Sequence, residues 1–199
     1  MSELASLAAE VAASMPYFPY KKLDKFYDVQ GLLRHPKLFE RVCDAIADRS
    51  KASNITKVAA FEARGFLFTP VALKLNVPFV MLRKAGKMPN TVSSAPYTKE
   101  YEGCDTMCVQ RGAVDESDNV LLIDDLLATG GTLCSGIELV KSFGASSIEC
   151  CTVVELTFLK GRQRATDAGA TAVWSLLTEE ADFPAADLPS DYVDDGAPH

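Results

Sequence analysis

Asn119 to Thr132 reads N-V-L-L-I-D-D-L-L-A-T-G-G-T, and the order of residue types in this stretch decides the architecture. Val120, Leu121, Leu122 and Ile123 are apolar without alternation, the pattern of a parallel strand buried on both faces. Asp124 and Asp125 follow at its carboxyl end, where open α/β sheets gather their ligands. Ala128, Thr129, Gly130, Gly131 and Thr132 then offer open backbone N–H groups, two hydroxyls and the start of a helix, which together make an anion cradle. The adjacent carboxylates require a different partner, either sugar hydroxyls or a divalent cation. A phosphorylated sugar satisfies both halves. The residues alone also fit a plainer arrangement, in which Thr129 or Asp125 caps the helix. The run is not a Walker A loop, since no Lys follows the glycines, and not a dinucleotide fingerprint, since G-x-G-x-x-G is absent.

Outward from this segment, strand and helix patterns alternate. Val58 to Phe61, Phe79 to Leu82, Thr106 to Arg111, Ile148 to Leu156 and Ala172 to Leu177 read as strands. Gly65 to Leu75, Gly131 to Phe143 and Lys160 to Ala168 read as helices. That alternation predicts an α/β fold with a mainly parallel sheet. Before it, Ser2 to Ser14 is an Ala- and Leu-rich helix ended by Pro16. Pro36 to Ser50 is an amphipathic helix with Leu38, Val42, Ala45 and Ile46 on one face. Met15 to Tyr27, dense in Pro and aromatics, is too irregular for a regular element and reads as a lid or hood. Arg83 to Pro96 reads as a loop, and Ala181 to His199 as a surface tail.

The chain has 199 residues, enough for a sizeable core, and no internal repeats. A formal net charge of −7 argues against nucleic acid or an anionic membrane as main partner, so any phosphate binding must be local and geometric. None of the six cysteines forms C-x-x-C, and the two histidines, His35 and His199, stand at no useful spacing for zinc. No apolar run is long enough to span a membrane, and the first residues lack the pattern of a secretory signal. The expectation is a cytoplasmic protein with thiols that are mostly small core residues.

Three further segments carry chemistry. Phe61-Glu-Ala-Arg-Gly-Phe-Leu-Phe68 is a second strand-to-helix junction, where Arg64 beside Gly65 suits either a phosphate group or packing over a helix cap. Arg83-Lys-Ala-Gly-Lys87 sets cations after a strand, as a solvated turn or an anion site. In Tyr97-Thr-Lys-Glu-Tyr-Glu-Gly103, Glu100 on its own reads as a surface charge.

These segments resemble, in the same order along the chain, motifs of the type I phosphoribosyltransferases. D-D-L-L-A-T-G-G-T is similar to their phosphoribosyl-pyrophosphate (PRPP) motif in the form found in adenine phosphoribosyltransferases. E-A-R-G-F-L-F resembles the pyrophosphate loop of that family, in which a non-proline cis peptide precedes the Arg, here Glu62–Ala63 or its neighbour. R-K-A-G-K resembles R-K-x-G-K-L-P, with Met88 in place of Leu before Pro89. Glu100 and Tyr101 align with a Glu-Tyr pair on the far side of that flexible loop, with Glu102 an extra acid. Lys25-Phe-Tyr-Asp28 aligns with an F-R-D segment of the hood over the adenine, with Tyr27 in place of Arg. Val154 to Arg162, V-E-L-T-F-L-K-G-R, is also similar, and the resemblance spans roughly Phe18 to Leu177.

The resemblance implies a type I phosphoribosyltransferase fold, an α/β mainly parallel sheet flanked by helices with a small N-terminal hood. Its organisation would be residues 1–35 as N-terminal helix and hood, 36–180 as core and 181–199 as tail. It implies adenine phosphoribosyltransferase activity in purine salvage, with adenine, PRPP, AMP and pyrophosphate as partners, in a cytoplasmic homodimer that binds neither nucleic acid nor membrane. Mg²⁺ would be the cofactor, held through PRPP with no ligand directly from the protein. Asp124 and Asp125 would take the ribose hydroxyls, and Ala128, Thr129, Gly130, Gly131 and Thr132 the 5′-phosphate. Arg64, Arg83, Lys84 and Lys87 would take the pyrophosphate, and Leu126, Lys25 and Tyr27 the adenine. Glu100 would be the catalytic proton-transfer residue, with Tyr101 beside it in the loop. Two alternatives stay open: another type I enzyme, for hypoxanthine/guanine or orotate, and a non-catalytic PRPP-sensing regulator. Against the first, the strand after the PRPP motif reads C-C-T-V-V-E, without the Lys that 6-oxopurine enzymes usually carry there. Against the second, the chain has neither a DNA-binding domain nor a basic face.

Overall fold

The computed structural model describes residues 3–21, 23–95, 97–98 and 104–192. They form two compact units: one from the residues up to Val42 with those from Glu179 onward, the other from Cys43 to Thr178.

In the first unit, helix α1 (Glu3–Ser14) buries Leu7, Val11 and Ala12, a stripe at helical spacing, and ends before Pro16. Strands β1 (Tyr17–Tyr20) and β2 (Leu23–Tyr27) then form an antiparallel hairpin. This corrects the reading of Met15 to Tyr27 as irregular. The hairpin's register shifts between Phe18 and Tyr20, around Pro19, which has no N–H to give to a ladder. Helix α2 (Val29–Leu33) follows, capped by Asp28, whose carboxylate accepts from Gln30 N at 3.0 Å. Helix α3 (Pro36–Ser50) begins here and ends in the second unit.

The described part of the expected tail is packed, not trailing. Tyr17 N donates to Pro184 O at 3.0 Å and Ala186 N to Tyr17 O at 3.0 Å. Phe183 is buried, and the Tyr192 hydroxyl donates to Pro19 O at 2.7 Å.

In the second unit the elements run β3 (Lys57–Phe61), a 3-10 turn (Arg64–Phe68), α4 (Thr69–Leu75), β4 (Phe79–Lys84), β5 (Thr91–Ser93), β6 (Tyr97–Thr98), β7 (Cys104–Asp105) and β8 (Met107–Gln110). They continue through β9 (Asn119–Leu127), α5 (Gly131–Lys141), β10 (Ser147–Glu155), α6 (Gly161–Ala168) and β11 (Ala172–Thr178). Seven strands make the main sheet in the order β11-β10-β9-β3-β4-β8-β5. The five from β11 to β4 are parallel, and β8 pairs antiparallel with both β4 and β5. Arg83 to Pro96 is therefore not all loop: β4 continues through Lys84, and Thr91–Ser93 pairs with β8.

β9 lies between β10 and β3, and Val120, Leu121, Leu122 and Ile123 are each wholly buried, as an unalternating apolar strand requires. Val120 and Leu122 share a core with Phe61, Leu82, Leu133, Ile137 and Val140, so α5 covers one face of the sheet. The buried thiols of Cys108, Cys150 and Cys151 have their ionisation pushed up chiefly by burial, as expected of small core residues. No described helix is long and apolar enough to cross a membrane.

Candidate active site

The strand order fixes where a ligand can sit. From β3 the chain crosses through α4 to β4 on one side, and from β9 through α5 to β10 on the other. The carboxyl ends of β3 and β9 thus flank the point where the winding reverses, the crevice in which open α/β sheets bind ligands. Pairing of β9 with β3 ends at Ala60↔Ile123, whereas pairing with β10 continues to Leu127↔Glu155. The stretch from Asp124 to Leu127 is therefore strand on one edge and, on the other, faces the segment after Phe61. The sequence reading set the two aspartates just beyond the strand. Because the strand runs on through them, Asp124 and Leu126 leave one face and Asp125 and Leu127 the other.

Asp125 meets a cation, and Asp124 feels its charge. Arg64 Nε lies 3.1 Å from Asp125 Oδ2, with Asp125 buried and Arg64 nearly half exposed. Asp125 N donates to Asp124 Oδ1 at 3.0 Å. The Asp124 carboxyl is pushed well above the ordinary carboxylate range by burial first and then by the charge of Asp125, with Arg64 opposing. A carboxylate whose folded pKa is raised costs nothing while protonated in both states, below about pH 4. Its cost then grows as pH rises toward the folded value. Asp124→Asn removes that cost and keeps an oxygen to accept from Asp125 N. Its melting temperature is expected to exceed that of the parent chain at pH 7, at about 2–4 °C per kcal/mol recovered. The gap should close as the pH is lowered toward 4. Calorimetry across that range checks this, and a variant less stable at pH 7 would contradict it.

The segment read as an anion cradle joins β9 to α5. Gly130 stands at φ +81° as the residue immediately before α5, where it has no side chain with which to cap the helix. The first turn of α5 presents N–H groups without intrahelical partners, the first such bond closing at Cys134 N to Gly130 O, 2.9 Å. Ala128, Gly130 and Gly131 are buried and Thr129 and Thr132 half-buried.

The cationic segments meet around Glu62. The Glu62–Ala63 peptide is cis, as the resemblance implied. The Glu62 carboxylate accepts from Arg83 Nε and Nη2, each at 3.1 Å, and from Lys84 N at 3.3 Å, while Arg83 Nη1 donates to Lys87 O at 3.1 Å. The Arg83 guanidinium holds the Glu62 carboxyl below its ordinary value. Arg83 is thus already part of a folded turn, and Lys84 and Lys87 stand exposed on it.

Lys25 and Tyr27 lie in the first unit, with Lys25 Nζ 4.7 Å from the centroid of the Tyr17 ring. Tyr27 is buried, its ring centroid 4.5 Å from that of Phe183. The Tyr27 side chain is therefore a core residue, which leaves only its backbone for a ligand. Glu100 and Tyr101 lie outside the described residues. As for Mg²⁺, the crevice supplies two hard carboxylates, one of them paired with Arg64, and no group of three or more potential ligands occurs among the described residues. Such a set fits a Mg²⁺ ion carried mostly by substrate phosphates and water.

The sequence reading missed the wall behind the cradle, which is the start of α6. A Cβ at Gly130 would lie 2.9 Å from Gly161 O and 3.1 Å from Gly161 Cα, so the two glycines touch backbone to backbone. The only signal available was Gly161 within V-E-L-T-F-L-K-G-R, and its meaning needs the fold.

Comparison with known proteins agrees with this geometry. Residues 28–186 match the family model described as "Phosphoribosyl transferase domain". The adenine phosphoribosyltransferase 4 of Arabidopsis thaliana is 45% identical over 75% of this chain and 82% of its own length. The adenine phosphoribosyltransferase of Pectobacterium atrosepticum is 41% identical over 90% and 94%. The Trypanosoma brucei adenine phosphoribosyl transferase, solved in complex with AMP, pyrophosphate and ribose-5-phosphate, superposes with a TM-score of 0.83 at 35% identity, covering 96% of this chain and 87% of that one. The crevice at the β3/β9 reversal, with its carboxylate pair and glycine turn into α5, and this likeness along nearly the whole chain lead to one assignment: the chain belongs to the phosphoribosyl transferase family, and within it to the adenine phosphoribosyltransferases.

Proposed function

We propose that the crevice between β3 and β9 carries out the family's reaction, adenine and PRPP giving AMP and pyrophosphate in purine salvage. The observation that carries this is the adjacency, at one topological reversal, of two carboxylates (Asp124, Asp125), a glycine-containing turn into a helix N-terminus (Ala128 to Thr132) and a cation (Arg64), which together suit a phosphorylated sugar.

Displacing pyrophosphate from C1′ builds positive charge on the ribose ring, as in other oxocarbenium-like transfers. Asp124 and Asp125 accept from the 2′- and 3′-hydroxyls and lie near that charge. The N–H groups of the cradle and the hydroxyls of Thr129 and Thr132 hold the 5′-phosphate, fixing C1′ relative to the incoming base. Arg64, Arg83, Lys84 and Lys87 face the departing pyrophosphate, where donors aimed at developing negative charge act most strongly. Mg²⁺, when bound, neutralises charge on the phosphate oxygens. Leu126 lies against the purine. Lys25 and Tyr27 serve the adenine through the hood backbone, and Glu100, with Tyr101 beside it, manages the purine proton.

The chain acts as a homodimer in the cytoplasm on this reading. Leu73, 77% exposed, and Met81, 44% exposed, are apolar surface that a second copy would cover. The test of the reaction is pyrophosphate release from PRPP with adenine, hypoxanthine, guanine or orotate. Adenine should be preferred by about 10⁴-fold in kcat/KM, because a site built on specific hydrogen bonds leaves buried groups unpaired with the wrong base. Comparable rates with hypoxanthine would overturn the adenine assignment and leave the PRPP site standing.

A further inference from the structure

The 5′-phosphate cradle has a second support that the reaction scheme does not use. Helix α6 starts immediately behind it, and its first turn is anchored to the sheet. Arg162 Nε donates to Glu155 Oε1 at 3.0 Å, its Nη2 pairs with Glu155 Oε2, and its Nη1 donates to Val173 O. Glu155 is buried at the end of β10 and also accepts from the Ser175 hydroxyl at 3.1 Å. One buried carboxylate thereby ties α6 to two strands. With that turn fixed, the backbone of Gly161 meets Gly130, since a Cβ on Gly161 would lie 3.0 Å from Gly130 N.

Arg164 sits on the same turn, exposed to solvent, and donates from Nη1 to Thr129 O at 2.7 Å. Helical side chains lean toward the N-terminus of their helix, which is the direction of the cradle. In a trans peptide the C=O and the following N–H point opposite ways. Holding Thr129 O on a guanidinium therefore turns the Gly130 N–H away from α6, and the cation polarises that same peptide so that its N–H becomes a better donor.

We propose that Arg164 is a positioning residue for the 5′-phosphate: it acts through the Thr129–Gly130 peptide, without touching the substrate, to set one donor of the cradle. The proposal rests on the reading of residues 128–132 as the 5′-phosphate site. It assigns Arg164 a role separate from Arg64, Arg83, Lys84 and Lys87, which serve the pyrophosphate.

Two probes separate the halves of the substrate. Ribose 5-phosphate reports the cradle and inorganic pyrophosphate reports the cationic turn. Calorimetry on the full chain with Arg164→Ala should show ribose 5-phosphate affinity reduced about 10- to 100-fold, the scale of one hydrogen bond to a charged group. Pyrophosphate affinity and the melting temperature should be unchanged, since the side chain is exposed. Steady-state kinetics should show KM for PRPP raised with kcat nearly constant, the signature of lost uniform binding. Arg164→Lys, which keeps both a donor and the charge, should restore most of the ribose 5-phosphate affinity. Unchanged ribose 5-phosphate affinity in Arg164→Ala, an equal loss for both probes, or no restoration by Lys would overturn the proposal. If the parent chain itself failed to bind ribose 5-phosphate, the cradle reading would fall and the proposal with it. Parent binding with no effect of the variant would sink the proposal alone.

Discussion

Asp125→Asn is expected to lower kcat/KM for PRPP by about 10²- to 10³-fold, the scale on which one preorganised electrostatic contact to a transition state acts. The fold should barely notice. Asp125 is buried, but its partner Arg64 is nearly half exposed, so a guanidinium that loses its carboxylate stays hydrated. The asparagine still offers an oxygen to Arg64 Nε. A pair of this kind is worth up to about 1 kcal/mol. What the substitution removes is the negative charge beside the ribose at the moment C1′ becomes positive. Steady-state kinetics together with a melting curve check both halves of this expectation. A variant with kcat/KM within a few-fold of the parent would show that Asp125 is a structural acid that happens to stand in the crevice.

Gly130→Ala should do comparable damage by a different route. The position stands at φ +81°, where a side chain costs about 1–2 kcal/mol, and the new Cβ would meet Gly161 O at 2.9 Å. That atom belongs to backbone anchored through Arg162 and Glu155, so it has little room to give. The cradle itself must shift by tenths of an ångström, and hydrogen bonds to a phosphate lose strength over that distance. The added group therefore points into α6 and not at the phosphate. A loss of about 10²-fold in PRPP affinity is expected. Gly112→Ala is the control: φ there is +78°, but nothing lies within 4 Å of the added Cβ. It should show a similar backbone cost in melting temperature with normal PRPP affinity. Equal affinities in the two variants would mean that strain alone, and not the seat on Gly161, governs position 130.

The contrast between residues read correctly and residues missed has a physical basis. Val120 to Ile123 announced a doubly covered strand because burial on both faces leaves a mark on every residue. Gly130 and Gly131 announced open backbone at a strand-to-helix junction, and the fold sets Gly130 at φ +81° against Gly161. The hairpin Tyr17–Tyr20 with Leu23–Tyr27 left no such mark. Pro19 interrupts the alternation, and the pairing partners of Tyr17 include Pro184 and Ala186, more than 160 positions away. The packed segment up to Tyr192 was hidden for the same reason, since Phe183 and Tyr192 have no local period. Asp124 and Asp125 stood out in the sequence, but their opposite faces follow from how far β9 extends, which is set by its pairing with β10. Arg164 is one of two arginines in α6, and only the return of α6 behind the cradle distinguishes it.

The most direct test of the central claim, that the β3/β9 crevice is where AMP is made, is a crystal structure of the chain with AMP. The 5′-phosphate should lie on the N–H groups between Ala128 and Thr132, with the ribose hydroxyls on Asp124 and Asp125. A nucleotide seated away from this crevice, or bound with its phosphate on Arg83 and Lys87 instead of the cradle, would contradict the account.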